Sequence, residues 1–419
     1  MCAIGEESGP SVRNPAKNNN VVGLAPTQEL VSRSGMMRAS FMNDRVGPMC
    51  RTVRDAAKLL DVIAGYDEHD ELTAFSRNRL PSTPYGQFAS LSANDKQPLK
   101  GVRIGVLREY MNRSLFTQAD HESIAIVEHA LDDLKKLGAT LIDPGATGEL
   151  FQGCVQALTP SAHSSLFVKQ FPALFPIDDK GQPVGDHMPR LVDLTLSAKG
   201  FPTGDKAPSI RGLGNDRTTG EGRFVLDLYL QQRGDANIKS TEDLINKSKF
   251  YTDVRPETGF NDKRRGLQNK YDDKTLDLSN RLATRFALQQ IVLQCLAQQN
   301  LDAVTYPTGN VPAPKLGAPT EPTVNGRSAL AWTLLGANGF PAISVPAGFT
   351  TQVFDRVADP AAPGKPRLVG PIPAALPVGI DFLGAPFSEP TLFKIAAAYT
   401  QATHHRHAPK GFGPLSNEP

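Results

Sequence analysis

The sequence has almost no charge excess and no long apolar run, and each absence excludes a class of protein. Its 45 Lys and Arg residues nearly balance 43 Asp and Glu residues, for a formal net charge of +2. This balance argues against a nucleic-acid partner held mainly by charge. The longest apolar stretch, residues 282–297, is interrupted by Arg and Gln, whereas a membrane span needs about 20 apolar residues. The N-terminus has no basic region followed by an apolar run, so no secretory signal is expected.

Cysteine is also scarce. The 419 residues include only Cys2, Cys50, Cys154 and Cys295, and no two of them form a CxxC pair. This spacing excludes the usual structural zinc site, and four cysteines in so long a chain do not make a disulfide scaffold. We therefore expect reduced thiols and a cytoplasmic location.

The amino-acid composition is typical of a folded protein. Hydrophobic residues make up 40% and charged residues 21%, which is enough to bury a sizeable core. Glycine (36 residues) and proline (34 residues) are frequent, and both are typical of turns.

Hydrophobic periodicity predicts an α/β fold. Alternating apolar residues at 102–106, a helical period at 121–137 and a second strand at 139–142 form a β-α-β unit, and such a crossover requires parallel strands. A helix is predicted at 52–65, with Thr52 as its N-cap and with Val53, Ala56 and Leu60 among the residues of its apolar face. The C-terminal part repeats the pattern, with strands at 342–346 and 378–383, an excursion between strands at 350–376, and a helix at 390–403. Residues 150–280 are less regular.

The N-terminal loop contains the candidate nucleophilic serine. Residues 5–15 are small and polar, and residues 21–27 follow as an apolar turn. A serine in such a loop can act as a nucleophile if a base takes its proton and backbone N–H groups hold the oxyanion. On composition alone, a surface turn is the favoured explanation of the loop, and a catalytic loop is the alternative.

Motif order across the chain resembles the amidase signature family. The resemblance rests on GEESGPSVRNPA, VVGLAPT and DRVGPMCRTVRDAAKLLDVIAG near the N-terminus, then on YPTGNVPAP, ANGFPAISVPAGF and LPVGIDFLGAPFSEPTLFKIAAAY. It implies a mixed, twisted β-sheet flanked by helices, lacking the N-terminal part of the family fold. Residues 1–419 would form one partial domain, and 150–280 a variable, substrate-facing helical insert within it.

The resemblance also implies a site. Ser11 occupies the place of the acylated nucleophile, and the oxyanion would be held by backbone N–H groups of Ser8, Gly9 and Ser11. Pro10 stands where the family has a second glycine and has no N–H to donate. Either this proline removes one donor or its fixed φ helps to hold the loop. Among neighbouring residues, Glu6 and Glu7 would hold the loop or act on water, and Arg13 would make structural hydrogen bonds.

One departure from the family is larger. The family activates its serine with an upstream Lys and a bridging Ser in a GGSSGG-like run, but no such run occurs here and the first lysine is Lys17. We expect little activity from the chain as it stands, and an uncovered apolar face. Three explanations stay open: a truncated product, a fragment completed by a second polypeptide, or a shortened paralogue with another role.

The function implied by the resemblance is hydrolysis of a carbon–nitrogen amide bond through a serine acyl-enzyme, without metal or organic cofactor. The substrate would be a small-molecule amide, with esters and carbamates open on the same logic. The alternatives are a catalytically inactive scaffold or binding paralogue and a glutamine-hydrolysing amidotransferase A-type subunit. No nucleic-acid or membrane partner is expected, and a homodimer is left open. The tract His404-His405-Arg406-His407 is predicted to be a solvated tail rather than a metal site, because no carboxylate or cysteine lies at a ligand-like spacing.

Overall fold

The computed structural model describes residues 1–92, 94–151, 154, 178–180, 184, 220–250, 263–273, 275–319, 336–362, 366–409 and 411. These residues form ten strands and nine α-helices. The strands are β1 (Cys2–Glu7), β2 (Val22–Ala25), β3 (Arg45–Cys50), β4 (Arg103–Val106), β5 (Thr140–Ile142), β6 (Ala303–Pro307), β7 (Ala342–Phe349), β8 (Gln352–Val357), β9 (Arg367–Pro373) and β10 (Pro377–Leu383). The helices are α1 (Arg13–Asn18), α2 (Val53–Ile63), α3 (Tyr85–Phe88), α4 (Gln118–Lys136), α5 (Glu221–Arg233), α6 (Thr241–Lys247), α7 (Lys263–Asp272), α8 (Ser279–Gln298) and α9 (Glu389–Thr403).

Eight strands form one mixed sheet in the order β1-β3-β2-β7-β10-β6-β4-β5. From β1 to β6 in this order, each strand pairs antiparallel with the next. Strand β4 pairs parallel with both β6 and β5. The predicted β-α-β unit is confirmed as β4-α4-β5, because a parallel pair needs a crossover connection. The fold is therefore the predicted mixed α/β sheet with flanking helices.

Helices cover both faces of the sheet. In β10, Asp381 is bonded to Arg13 of α1, while the next residue, Phe382, packs edge-on against Tyr399 of α9. Successive side chains of a strand point to opposite faces. Helices α1 and α9 therefore lie on opposite sides of the sheet, and α1, which follows the serine loop, packs against the central strands.

Helix α2 shows why local sequence predicts this part of the chain well. Thr52 has extended backbone and its side chain accepts a hydrogen bond from the N–H of Asp55 at 3.0 Å. This is the N-cap that the sequence predicts. The buried residues Val53, Ala56 and Leu60 form one face of the helix, which packs against α9.

Three details differ from the sequence-based expectations. The excursion at 350–376 contains a separate antiparallel hairpin, β8–β9. The tract after α9 is not simply solvated, since the Asn20 side chain donates to the carbonyl of His405. The insert predicted at 150–280 falls largely outside the described residues, and its described part includes the helices α5, α6 and α7. Its role and the single-domain organisation stay predictions.

The expectation of reduced thiols is wrong for this structure. Cys2 is bonded to Cys50, and Cys154 to Cys295. The members of the pairs are 48 and 141 residues apart, and the fold brings them together: Cys2 and Cys50 are register partners on β1 and β3. Sequence spacing could not reveal this proximity.

No helix in the described ranges is long and apolar enough to cross a membrane.

Candidate active site

The serine loop connects the end of β1 to the start of α1. Strand β1 ends at Glu7, the loop runs through Ser11, and α1 begins at Arg13. Ser11 is exposed, whereas Gly9 and Pro10 before it are buried. Within the described part of the chain the Ser11 hydroxyl forms no hydrogen bond. The loop therefore presents this serine to solvent without a base in contact with it.

The backbone around Ser11 has open donors. The N–H groups of Ser8, Gly9 and Ser11 form no hydrogen bond with any residue that the structure describes. Pro10 has no N–H, and its carbonyl accepts from the N–H of Asn14 at 2.8 Å. Three donors of the predicted oxyanion hole are thus available, and their role in holding an oxyanion stays a prediction.

The buried side chain of Glu7 fixes the ends of the serine loop. Its side chain is fully buried, and its Oε2 accepts from the N–H of Val12 at 3.0 Å and from the N–H of Arg13 at 3.1 Å. Both donors lie at the start of α1, where backbone N–H groups have no partner within the helix. The carboxylate therefore ties the end of β1 to the start of α1, and the loop between them has fixed ends.

A buried ionic network surrounds this carboxylate. Glu7 Oε1 accepts from Arg13 Nε at 3.1 Å and from Arg45 Nη2 at 3.2 Å. Arg13 Nη1 reaches the hydroxyl of Tyr306 at 3.2 Å and Asp381 Oδ2 at 2.7 Å. The network joins strands of the sheet to α1, so the position of the loop depends on the centre of the sheet. Arg13 makes the structural hydrogen bonds that its position in the sequence predicts.

The charges in the network balance each other. Burial lowers the pKa of Arg45 to about 10, against the opposing effect of Glu7. Burial also acts to lower the pKa of Arg13, but Glu7 and its other partners outweigh it and hold that pKa above its usual range. Burial raises the pKa of Asp381, although Arg13 opposes the shift. Two guanidinium groups and two carboxylates therefore form a nearly neutral group inside the protein.

Glu6 has a different environment from Glu7. It lies at the surface, and its Oε1 accepts from the hydroxyl of Ser8 at 2.8 Å. Partial desolvation raises the pKa of Glu6, an effect that Asp44 and Glu7 strengthen and the Ser8 hydrogen bond weakens. Of the two glutamates considered from the sequence, Glu7 holds the backbone and Glu6 contacts the loop through one side chain.

Lys17 belongs to the same buried region and was not predicted to. Its ammonium group donates to the carbonyl of Val311 at 2.8 Å, and burial lowers its pKa to about 8. Lys17 follows Arg13 by four residues, so both project from one face of α1. That spacing is the signal by which the sequence could have indicated a shared environment. Asp381 had no such local signal.

An apolar groove of about 610 Å³ opens at the same end of the sheet. Phe41, Met42, Phe286 and Phe387 are among the residues that line it. The first two lie just before β3, whose first residue pairs with the last residue of β1. The groove therefore lies towards the end of the sheet that carries the serine loop.

The structure thus places a serine loop between the first strand of a mixed α/β sheet and helix α1. The model of the Amidase family matches residues 1–183 and 224–393 of this chain. The chain belongs to the amidase family.

Curated relatives agree with this assignment. The A-type subunit of the glutamyl-tRNA(Gln) amidotransferase of Myxococcus xanthus is 29% identical over 398 residues, which are 95% of this chain and 63% of that protein. A probable amidase of Arabidopsis thaliana is 24% identical over 97% of this chain and 58% of that protein. The chain thus spans about three fifths of the length of these relatives.

Solved structures show the same fold. The native peptide amidase of Stenotrophomonas maltophilia superposes with a TM-score of 0.57 at 24% identity, over 97% of this chain and 63% of that one. An amidase family protein of Bacillus anthracis gives 0.55 at 23% identity, over 98% and 58%. At this identity the likeness concerns the fold.

Proposed function

We propose that this chain provides the nucleophile of an enzyme that hydrolyses a carbon–nitrogen amide bond, and that Ser11 is that nucleophile. The observation that carries the proposal is the serine loop itself. It exposes one hydroxyl beside three unengaged N–H groups, and a buried carboxylate fixes both of its ends. Such preorganised donors are what acyl transfer requires, because they need no reorganisation when the oxyanion forms.

The reaction would proceed in two stages. The Ser11 oxygen attacks the carbonyl carbon, its proton passes to a base, and the N–H groups of Ser8, Gly9 and Ser11 hold the negative oxygen. The carbon–nitrogen bond then breaks as the nitrogen takes a proton. The amine departs, and the acyl group stays on Ser11 as an ester, the acyl-enzyme. Water attacks this ester and releases the acid together with free Ser11. Esters and carbamates fit the same scheme.

The base is the part that this chain does not supply from its described residues. Lys17 does not qualify, since its ammonium group is buried and bonded to the carbonyl of Val311. The family resemblance implies a Lys and a bridging Ser for this role. We therefore propose that full activity requires these two groups, either from a longer form of the protein or from a second polypeptide.

The apolar groove supports a substrate with an apolar acyl or aryl group. Aromatic and aliphatic side chains line most of it, and Arg285 at its wall is paired with Glu29. A recess of this size and character is typical of a small-molecule site. We propose that a small amide with an apolar substituent lies here.

A glutamine-hydrolysing amidotransferase subunit is the second candidate, and the Myxococcus relative favours it. Glutamine hydrolysis that requires a partner subunit would identify it. A catalytically inactive binding paralogue is the third candidate, and it predicts no reaction at Ser11 under any condition. A homodimer and a cytoplasmic location stay predictions. The two disulfides argue against a reducing compartment.

Labelling with a fluorophosphonate, followed by intact mass measurement, tests the nucleophile. The protein as its own gene expresses it should gain one adduct, which peptide mapping places on Ser11. Ser11→Ala should abolish the adduct, and Ser34→Ala, at an exposed serine outside the loop, is the matched control that should retain it. Hydrolysis of aryl amides, esters and carbamates is measured in parallel. Labelling that survives Ser11→Ala would contradict the assignment, and absence of both labelling and hydrolysis would favour the inactive paralogue.

Pro10→Gly separates the two roles open to the proline. If Pro10 only removes an oxyanion donor, the glycine restores it and labelling becomes faster; one such donor contributes about 2.7–4 kcal/mol to transition-state stability. If the fixed φ of Pro10 positions the loop, labelling slows instead. Fluorophosphonate labelling of the wild-type protein and of Pro10→Gly, quenched at a series of times, measures the labelling rates. Circular dichroism checks that both proteins are folded.

A further inference from the structure

A second cavity lies at the opposite end of β1 and β3 from the serine loop. Its volume is about 330 Å³, and the start of α2 and the segment after α9 line it. Strand β3 runs from Arg45, beside Glu7, to Cys50, and the cavity begins with the next residues. At about 3.3 Å per residue, the length of β3 separates the two places by roughly 17 Å.

The cavity is strongly cationic. Arg54 and Arg406 line it together with His404 and His405, and none of the described residues that line it is an aspartate or glutamate. Arg51 also lines it and already interacts with another group. Arg54 and Arg406 are therefore the arginines available to a ligand. This concentration of one sign stands out in a chain whose charges otherwise balance.

Arg406 carries an unsatisfied donor. Its Nε is buried and has no hydrogen-bond partner in the described part of the protein. A buried donor without a partner costs free energy, because it has lost its water and gained nothing in return. A ligand acceptor in the cavity would remove that cost.

The backbone adds two more donors. Val53 and Arg54 are the first residues of α2, and their N–H groups bond to no described residue. Both residues line the cavity. The acidic residue of the first turn, Asp55, is not among the lining residues; its N–H donates to the Thr52 side chain. Open N–H groups at a helix start favour an anion.

The number of donors selects the kind of anion. Two guanidinium groups and two N–H groups offer more hydrogen bonds than the two oxygens of a carboxylate use well, while a phosphoryl group has three acceptor oxygens and close to two negative charges. Part of the remaining wall is apolar, formed by Val22, Val53, Ala89, Pro346 and Ala397, and the polar residues Thr52, Thr400 and Gln401 complete the lining that is described. The ligand should therefore combine a phosphoryl group with a small apolar part.

We propose that this cavity binds a small phosphorylated molecule, held through its phosphoryl oxygens by Arg54, Arg406 and the first N–H groups of α2. The site is independent of the chemistry proposed for Ser11.

Titration calorimetry of the full chain with phenyl phosphate tests the proposal. We expect saturable binding at one site, and Arg54→Ala and Arg406→Ala should each weaken it at least tenfold. Arg367→Ala is the charge-matched control, since this exposed arginine lies on β9 away from the cavity, and it should leave binding unchanged. The wild-type protein and the three variants should react with the fluorophosphonate at Ser11 to the same extent, even if that extent is zero. The test of this cavity is therefore independent of the test of Ser11 as a nucleophile.

Three results would overturn the proposal. One is the absence of saturable heat at millimolar phenyl phosphate. Another is equal weakening by Arg367→Ala, which would indicate attraction to net charge alone. The third is binding of benzoate as tight as that of phenyl phosphate, which would assign the cavity to carboxylates. Thermal unfolding of each variant confirms that the fold is retained, as expected for side chains at or near the surface.

Discussion

The two ends of the β1–β3 pair use arginine in opposite ways. At the serine end, Arg13 and Arg45 are buried and bonded to Glu7 and Asp381. At the other end, Arg54 is exposed and has no ion pair with a described residue. The paired arginines hold backbone in place, while the unpaired one remains free to bind. The same residue type therefore contributes rigidity in one place and recognition in the other.

The difference follows from the energetics of burial. Removing a charge from water costs several kcal/mol, and only a well-bonded partner offsets that cost. The serine end meets this condition because Glu7, a single carboxylate, bonds two arginines and two N–H groups. An exposed arginine has no such requirement. Changes at the two ends should consequently differ greatly in their effect on stability.

Glu7→Gln should have the largest effect. The amide keeps the shape but leaves two buried guanidinium groups without their shared countercharge, so the free energy of unfolding should fall by about 3–5 kcal/mol. Urea unfolding followed by circular dichroism measures it. Glu68→Gln is the matched control, because the Glu68 side chain is 78% exposed, and it should change stability very little. A loss below about 1 kcal/mol for Glu7→Gln would show that the network is not stabilising.

Lys17→Met should have the next largest effect, seen as a change in pH dependence. Folding lowers the pKa of Lys17 from 10.5 to about 8. Between these values the unfolded chain binds more protons than the folded one, so stability rises as the pH increases from about 8 to about 10.5. The shift corresponds to about 3 kcal/mol for this buried group.

The methionine variant should lack this rise. Urea unfolding at about pH 7.5 and about pH 10 measures it for both proteins, and the difference between them isolates Lys17 from other groups that titrate in this range. An identical pH dependence in the two proteins would show that Lys17 keeps an ordinary pKa in the folded state.

Arg54→Ala should have the smallest effect on stability. Its guanidinium group forms no ion pair with the described residues and lies at the surface, so the free energy of unfolding should change by less than about 0.5 kcal/mol. Thermal unfolding in the absence of added anions measures the change. A loss above about 1.5 kcal/mol would mean that this arginine is structural, and the contrast between the two ends would then fail.

Local sequence was sufficient for much of this fold. The N-cap at Thr52, the apolar face of α2 and the β4-α4-β5 unit were all predicted, because each depends on residues close together in the chain. The hairpin β8–β9 was missed, since its residues at 350–376 are rich in proline and alanine. Propensity alone gives little indication of strands in such a segment.

In the candidate site too, features that depend on neighbouring residues were predicted, and features that depend on residues distant in sequence were not. Motif order indicated the serine loop, whose residues are contiguous, and the catalytic role of Ser11 stays a prediction. The partners that hold the loop could not be predicted, because Asp381 and Val311 are far away in sequence and meet Arg13 and Lys17 only through the order of strands in the sheet. The disulfide between Cys2 and Cys50 escaped prediction for the same reason.

The bond between Arg13 and Asp381 has a consequence for synthesis. The two residues are 368 positions apart, and a ribosome adding about 5–20 residues per second needs roughly 20–70 seconds to cover that distance. During this interval the emerging loop lacks the anchor that Asp381 provides in the centre of the sheet. The serine loop therefore reaches its final geometry only after the strand that carries Asp381 has been made.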